Sequence, residues 1–334
     1  MFPKDIRLQV TPRCNQSCKH CFASSTSEVR SKELSDNEFL SVIDQIAGVD
    51  LEALTITGGE PLIRQKLVLK ILERIKDLPI MKTINTNGWF LSESVARQLK
   101  QAGLDRAQIS LDCVNPEEHD DFRGAKGAYK YAISAIENCV NMGIKTHVRA
   151  TITSFNYDKM SKLLKLVLDK DAQRFIVKPF IPSGRGLTAT EQLTYDQHRQ
   201  AINDLIKYLK NNPDVSREQV QFLSPSFTFL ISEEYAEFAE KCECGEELAF
   251  IAYNGDVQPC GYAHVVLGNL IDTPLKKIWA ESPFLLKWRK TRLNEKCVTC
   301  KFAEICRGGC RAAAYETTGE LTHPDPLCWL EITK

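Results

Sequence analysis

Three cysteines near the start of the chain restrict its fold more than any other feature. Cys14, Cys18 and Cys21 follow a run from Ile6 to Val10 in which apolar and polar residues alternate. Thiolates are soft ligands that suit iron–sulfur clusters or zinc. Three of them can bind three irons of a four-iron cluster and leave the fourth iron open to an outside molecule. A structural zinc site needs four ligands, and no second pair follows within about a hundred residues. The spacing therefore favours a redox cluster, with zinc and unligated core cysteines as the alternatives.

The composition indicates a cytoplasmic protein of ordinary globular type. The chain has 334 residues, of which 43% are hydrophobic and 26% charged, enough for one large domain with a smaller one attached. Its 43 basic residues balance 43 acidic ones, so bulk charge indicates neither a nucleic acid nor a membrane partner. The start has no signal-peptide core, and no apolar run is long enough to cross a membrane. Because the cytoplasm disfavours disulfides, clusters among the thirteen cysteines are expected to bind metal.

Strand-like and helix-like segments alternate over the first half of the chain. Six segments have the pattern of strands, near residues 7–10, 53–57, 82–86, 107–111, 146–152 and 175–178. The helices between them have clear starts, such as the capping box from Ser35 to Glu38 and the cap at Ser92. Such alternation predicts a parallel sheet with outer helices. Six units are too few for an eight-stranded barrel, so the residues alone allow an open doubly wound sheet or a partial barrel.

Residues with chemical potential follow several of these strands. Gly58, Gly59 and Glu60 come after the second strand, where glycines permit close backbone approach and a carboxylate can accept from an ammonium group. Ser110 and Asp112 end the fourth strand. The carboxyl ends of parallel strands meet on one face of the sheet, which predicts a shared site. The alternatives are a plain turn at the glycines and an aspartate with internal partners.

Basic side chains are expected on the same face. The fifth strand alternates His147, Arg149 and Thr151 with apolar residues. Since outer helices bury apolar faces, the polar row should face the cavity of a barrel. Lys178 and Arg185, near the end of the sixth strand, add two cations. These groups could hold a substrate carboxylate or lie in solvent.

The cysteine triad, with His20 just before its last member, resembles the signature of the radical S-adenosylmethionine (radical SAM) enzymes. The resemblance implies an α/β fold with a partial (β/α)6 TIM-type barrel and a [4Fe-4S] cluster on the three cysteines. It also implies that S-adenosylmethionine binds the open iron and is cleaved reductively to a 5'-deoxyadenosyl radical. The matching cofactor-binding residues are Gly58, Gly59 and Glu60 for the amine, Ser110 and Asp112 for the ribose or carboxylate, and Arg123 near the carboxylate.

Eight more cysteines lie in the last hundred residues, and their spacing resembles the SPASM extension of radical SAM enzymes. A hairpin with a type I' turn is predicted at Asn254-Gly255, just before Cys260. The resemblance implies two auxiliary [4Fe-4S] clusters, which would make three clusters in all. Their ligands would be Cys242, Cys244, Cys260 and Cys310 for the first, and Cys297, Cys300, Cys306 and Cys328 for the second. Cys242 and Cys244 are closer than is usual in the family, so the first auxiliary cluster could instead keep an open iron. Cys113 and Cys139 fit neither set and are expected in the core.

The predicted organisation is a radical SAM barrel over residues 1–186, a bridging helical segment over 187–235 and a SPASM domain over 236–334. We expect radical oxidation or cross-linking of a ribosomally synthesised peptide. The alternative is oxidation of a small molecule or a tetrapyrrole side chain, and a third interpretation is a non-catalytic metal scaffold, against which the glycine-rich clamp argues. The implied partners are a flavodoxin- or ferredoxin-type reductant and, for a peptide substrate, a separate leader-recognition protein.

Overall fold

A computed structural model describes residues 2–28, 32–48, 50–190, 192–223, 242–291 and 295–328. Ten strands within these ranges form a single sheet, in the order β10-β9-β8-β1-β2-β3-β4-β5-β6-β7. The strands are β1 (Asp5–Gln9), β2 (Ala53–Thr57), β3 (Met81–Thr86), β4 (Arg106–Ser110), β5 (Lys145–Ile152), β6 (Arg174–Pro179), β7 (Val220–Phe222), β8 (Leu248–Ile251), β9 (Asp256–Gln258) and β10 (Gly268–Asn269).

Helices connect the strands and cover the outer face of the sheet. They are α1 (Asp36–Ala47), α2 (Gln65–Arg74), α3 (Glu93–Gln101), α4 (Pro116–Arg123), α5 (Ala128–Asn141), α6 (Met160–Asp169), α7 (Tyr195–Asn211), α8 (Leu275–Glu281), α9 (Pro283–Lys290), α10 (Glu295–Val298), α11 (Ala303–Cys306) and α12 (Arg311–Thr318). Strands β1 to β6 pair in parallel in chain order. This confirms the partial barrel and the six predicted strands.

The core lies between the sheet and its outer helices. The alternate residues Ile6 and Leu8 of β1 are completely buried there, as are Phe39 and Ile43 of α1. The predicted capping box is present, because the Ser35 hydroxyl accepts from the Glu38 amide and the Glu38 carboxylate accepts from the Ser35 amide. The opposite residues of the strands are left to line the barrel interior.

The bridging segment contributes a strand as well as the predicted helix α7. Val220 to Phe222 form β7, which pairs in parallel with β6 and extends the barrel by one strand. Residues 224–241, where the predicted boundary between the bridge and the SPASM domain falls, lie outside the described ranges. Within those ranges, no helix combines the length and the hydropathy that a membrane crossing requires.

The sheet runs without a break from the barrel into the cysteine-rich part. Strand β8 pairs in parallel with β1, with Asp5 opposite Leu248 and Arg7 opposite Phe250. Strand β9 then returns antiparallel to β8, which confirms the predicted hairpin. Its turn is not of type I', because only Gly255 in this described turn has a positive φ, of 90°. The Ala252 carbonyl accepts from the Gly255 amide, and the Ala252 amide donates to the Asp256 carbonyl. The turn is therefore longer than two residues.

Candidate active site between two cysteine groups

A cavity of about 370 Å³ opens at the carboxyl ends of the barrel strands. Seven cysteines lie in its wall: Cys14, Cys18 and Cys21 on one side, and Cys242, Cys244, Cys260 and Cys310 from the C-terminal part. The fold therefore brings the N-terminal triad and the first predicted auxiliary set to the same space. A volume of this size suits a small molecule or one inserted side chain rather than a folded partner.

The loop carrying the triad is held from both ends. The amides of Ser17 and Lys19 donate to the carbonyls of Arg123 and Phe122 in α4. Arg185 ties the other side, because its guanidinium donates to the carbonyls of Cys18 and Ser25 at 2.9 Å each. Arg185 therefore supports the loop, in contrast to the role at the cavity mouth considered from the sequence.

The thiols of the triad fit a cluster that uses one cysteine per iron. Burial raises the pKa of Cys14 to about 12, so binding of a metal must displace its proton. Within the described part of the chain, no three His, Cys, Asp or Glu side chains converge as ligands of a single metal ion do. Ligands of a four-iron cluster need not converge in this way, because each thiolate binds a different iron.

Gly58 and Gly59 line the cavity, and close packing explains why glycines occur there. The amides of Gly59 and Glu60 donate to the carbonyls of Thr11 and Arg13, both at 2.7 Å. A Cβ on Gly59 would lie 2.1 Å from the Arg13 carbonyl oxygen. Any larger residue would therefore push the glycine loop away from the segment that leads into Cys14.

Glu60 lies behind the glycines and is completely buried. Its carboxylate accepts hydrogen bonds from the Leu62 amide at 3.1 Å, and from the Thr86 hydroxyl and the Asn87 amide at 2.8 Å each. Burial raises the pKa of Glu60 to about 7 in spite of these bonds. The predicted contact of Glu60 with the cofactor amine thus stays a prediction, and the contacts present link two strand-end loops.

Asp112 and Arg123 form a buried ion pair, whereas Ser110 lines the cavity. The Asp112 carboxylate lies 2.5 Å from Nη2 of Arg123, and their side chains are 1% and 8% exposed. Burial alone would raise the pKa of Asp112, but the guanidinium outweighs burial and lowers it to about 2. Both residues were predicted to contact the cofactor, and the structure shows that they contact each other.

Three cations face the cavity from three different strands: Arg7 of β1, Arg149 of β5 and Lys178 of β6. Burial lowers the pKa of Lys178, and Arg149 lowers it further, while a contact with the Tyr262 hydroxyl acts in the opposite direction. The predicted inward row on β5 is confirmed for Arg149 and Thr151. Arg7 was missed, although β1 shows the same alternation of apolar and polar residues.

The first auxiliary set comes together as a group of four. Hydrogen bonds to Cys242 and Cys260 raise the pKa of Cys244, and burial adds to this effect. Cys310 is near Cys242 and Cys260, and all four line the cavity. The close spacing of Cys242 and Cys244 therefore does not keep either thiol away from the group.

Part of the second auxiliary set is also assembled. Burial raises the pKa of Cys306 to about 12, with further contributions from Asp325, Cys328 and Cys297. The amide of Cys300 donates to the carbonyl of Cys297 at 3.1 Å. The two remaining cysteines, Cys113 and Cys139, are completely buried, as expected of core residues.

Aromatic rings connect the two cysteine groups. Phe22 directly follows the triad, and its ring lies 4.8 Å from that of Tyr262 and 6.5 Å from that of Phe250. Tyr262 follows Cys260 by two residues, and Phe250 is part of β8. These rings form an apolar wall that can exclude water from the space between the thiols.

A parallel partial barrel with an open cysteine triad beside a glycine loop defines the radical SAM class of enzymes, and family comparison agrees. The model of the radical SAM superfamily matches residues 8–167. The model of the SPASM iron–sulfur cluster-binding domain matches residues 242–301. The chain belongs to the radical SAM enzymes and, within them, to the SPASM subgroup. Membership implies [4Fe-4S] clusters and S-adenosylmethionine as cofactors.

Relatives of known function differ in the substrates that their names indicate. An AdoMet-dependent heme synthase of Methanosarcina barkeri is 29% identical, with 98% of this chain and 96% of that protein aligned. Mycofactocin maturase MftC of Mycolicibacterium smegmatis is 28% identical over 98% of this chain and 82% of its own. Among solved structures, Streptococcus suis SuiB bound to S-adenosylmethionine has a TM-score of 0.81 at 19% identity, covering 98% of this chain and 78% of SuiB. That likeness concerns the fold.

Proposed function

We propose that this enzyme oxidises a side chain of a small, carboxylate-bearing substrate of the tetrapyrrole class. The observation that carries the proposal is the set of cations Arg7, Arg149 and Lys178 in the wall of the cavity between the two cysteine groups. A desolvated cation forms a charge-assisted hydrogen bond with a carboxylate, worth about 1.5 to 3 kcal/mol. Heme is a tetrapyrrole with carboxylate side chains, and the M. barkeri relative is named a heme synthase.

The cofactor set in this proposal is S-adenosylmethionine and three [4Fe-4S] clusters. Cys14, Cys18 and Cys21 would hold the first, Cys242, Cys244, Cys260 and Cys310 the second, and Cys297, Cys300, Cys306 and Cys328 the third. When bound, these groups supply a 5'-deoxyadenosyl radical that abstracts a hydrogen atom, and an acceptor for the electron left on the substrate. Reconstituted protein should then contain roughly twelve irons, four per cluster.

The residues of the chain orient the substrate and protect it. Lys178 and Arg149 hold the carboxylate, and a bound anion offsets the burial and mutual repulsion that lower the pKa of Lys178. The rings of Phe22, Phe250 and Tyr262 keep water away from a reactive carbon. Lys178 and Arg149 line the same cavity as the two cysteine groups, so a carboxylate held by them places the neighbouring carbons between these groups.

The test compares the iron complex of coproporphyrin III with its tetramethyl ester, which has the same ring and no free carboxylate. With S-adenosylmethionine and dithionite, the acid should stimulate 5'-deoxyadenosine formation and change in mass, and the ester should do neither. Lys178→Met should raise the KM for the acid roughly ten- to a hundred-fold, because one charge-assisted bond is lost. Arg199→Gln, at an exposed position of α7, is the control. Equal turnover of acid and ester would refute the role of the cations.

A ribosomally synthesised peptide is the second candidate substrate. The similarity to mycofactocin maturase favours it, and a peptide could enter this cavity by one side chain. This alternative would be established if the enzyme modified a peptide encoded beside its gene and did not modify the porphyrin. Both candidate reactions would take electrons from a reductant of flavodoxin or ferredoxin type, and a separate leader-recognition protein is a further candidate partner for a peptide substrate.

A further inference from the structure

Two buried side chains approach cysteine sulfurs of the N-terminal triad. Nη1 of Arg123 lies 3.8 Å from Sγ of Cys18, and Nδ2 of Asn87 lies 3.8 Å from Sγ of Cys14. Backbone amides supply the other donors, from Gln16 to Cys14 and from Ser25 to Cys21, each at 3.4 Å. Two of the three thiols thus have a side-chain donor, and one of those donors is a cation.

The Arg123 guanidinium is fixed in its position by its partner. Asp112 pairs with Nη2 at 2.5 Å, while Oδ1 of the same carboxylate accepts from the Thr151 amide at 2.8 Å. The pair joins the end of β4 to the end of α4, and both side chains are buried. Arg123 therefore has no room to turn away from Cys18.

Asn87 is fixed in a similar way, from three directions. The backbone amide of Asn87 donates to the Glu60 carboxylate at 2.8 Å, and its side-chain Oδ1 accepts from the backbone amide of Trp89 at 2.9 Å. Its Nδ2 also donates to Oδ1 of Asn15 at 2.9 Å, which keeps the amide group directed at the triad. Glu60 thus holds the backbone of Asn87 in place.

We infer that Arg123 and Asn87 donate N–H···S bonds that raise the reduction potential of the cluster bound by the triad, and that Asp112 and Glu60 position them. The inference rests on the proposed cluster at Cys14, Cys18 and Cys21. Reduction adds one electron from an external reductant to the cluster, and no bond forms or breaks in that step. Because the reduced cluster carries one more negative charge, donors at its sulfurs favour it over the oxidised form. A positive donor has the larger effect.

The experiment is a redox titration of the full-length reconstituted protein, followed by its paramagnetic spectrum. The signal that changes when S-adenosylmethionine is added identifies the cluster on the triad. Arg123→Gln removes the charge, and Asn87→Asp replaces a donor by a carboxylate. Both midpoints should shift to more negative potentials than the wild-type midpoint. Arg97→Gln removes a cation from an exposed ion pair with Glu93 on α3 and should not shift it.

The outcomes separate this inference from the proposed function. Midpoints equal to wild type in variants with full iron content would overturn the inference and leave the cluster in place. Wild-type protein without four irons at the triad, or without a signal that responds to S-adenosylmethionine, would reject the cluster and the inference together. If Arg123→Gln fails to fold because Asp112 loses its partner, Asn87→Asp decides the matter in the same titration.

Discussion

At the scale of single residues, burial keeps several histidines of this protein neutral. Burial lowers the pKa to about 3 for His20 and His147, and to about 4 for His119 and His198. An unfolded histidine takes up its proton near pH 6.5, so between that pH and about 4 the unfolded chain binds more protons than the folded one. Each of these histidines therefore makes the protein less stable as the pH falls through that window.

His198 offers a clean test because it lies on α7, away from the cysteines. Because the pKa of His198 in the folded protein is about 4, we expect this residue to lower the free energy of unfolding of the wild-type protein by about 2 kcal/mol between pH 7 and pH 5. His198→Gln should reduce this pH dependence by that amount, and the exposed His323→Gln should not. Denaturant unfolding at the two pH values measures both. If the free energy of unfolding changes equally between the two pH values in wild type and in His198→Gln, a neutral buried His198 is contradicted.

Whether a site residue could be predicted depends on how local its cause is. The cysteine spacing lies within eight residues, and the alternation of β5 lies within one strand, so both are visible in the sequence. The alternation of apolar and polar residues in β1 is an equally local signal for Arg7, although Arg7 was not predicted. The pairing of Asp112 with Arg123, by contrast, depends on where α4 ends relative to β4. No pattern within a single segment specifies that distance, so the ion pair could not be predicted, and the cofactor role of both residues stays a prediction.

At the scale of elements, the hairpin of β8 and β9 depends on Gly255. Its φ of 90° disfavours any residue with a side chain, and a Cβ there would lie 3.0 Å from Oδ1 of Asn269. The side-chain amide of Asn269 cannot easily move, because its Nδ2 donates to the Asp256 carboxylate at 2.9 Å and to the Asn254 carbonyl at 3.0 Å. The hairpin leads directly to Cys260, so distortion here reaches the first auxiliary group.

Gly255→Ala should lower the free energy of unfolding by at least about 1 to 2 kcal/mol, the usual cost of a left-handed residue, and should reduce iron content. Gly319→Ala is the matched control, because Gly319 also has a positive φ, of 75°, but nothing lies within 4 Å of its Cβ position. Thermal unfolding and iron analysis distinguish the two. Equal effects of both substitutions would mean that the contact with Asn269 is unimportant.

Elements with internal signals were predicted better than those that need a neighbour. The helix starts at Ser35 and Ser92 were each predicted from a cap whose bonding partner lies three residues away, and both caps form. Strand β7 has only three residues and exists because the edge of β6 is open to it. Its sequence carries too little pattern to be recognised. The turn at Gly255 shows the same limit, since the dipeptide is compatible with more than one loop length.

At the scale of the whole molecule, one sheet joins the barrel to the auxiliary domain. Strand β1 lies between β2 and β8, so its backbone is hydrogen-bonded on both sides only when both parts are present. An unpaired strand edge with buried apolar residues promotes aggregation and loss of stability. The two family segments should therefore behave as one cooperative unit.

A chain that ends at residue 223 should lose its cooperative unfolding transition and aggregate. The full-length chain should unfold in one transition, with the same midpoint for tryptophan fluorescence and for circular dichroism. A full-length Cys297→Ala, Cys306→Ala double variant keeps β8 and should remain cooperative, which separates loss of the strand from loss of the second auxiliary group. A stable, monomeric barrel after truncation would show that β8 is dispensable.

The position of β1 also sets an order of events during synthesis. The triad leaves the ribosome before β8, the neighbour of β1, which emerges only after about 230 further residues have been made. At typical translation rates of about 5 to 20 residues per second, this interval lasts on the order of ten seconds or more. During that time β8 cannot yet line the cavity beside the three thiols. We expect iron–sulfur assembly factors to reach the triad more readily in this interval than after β8 has paired with β1.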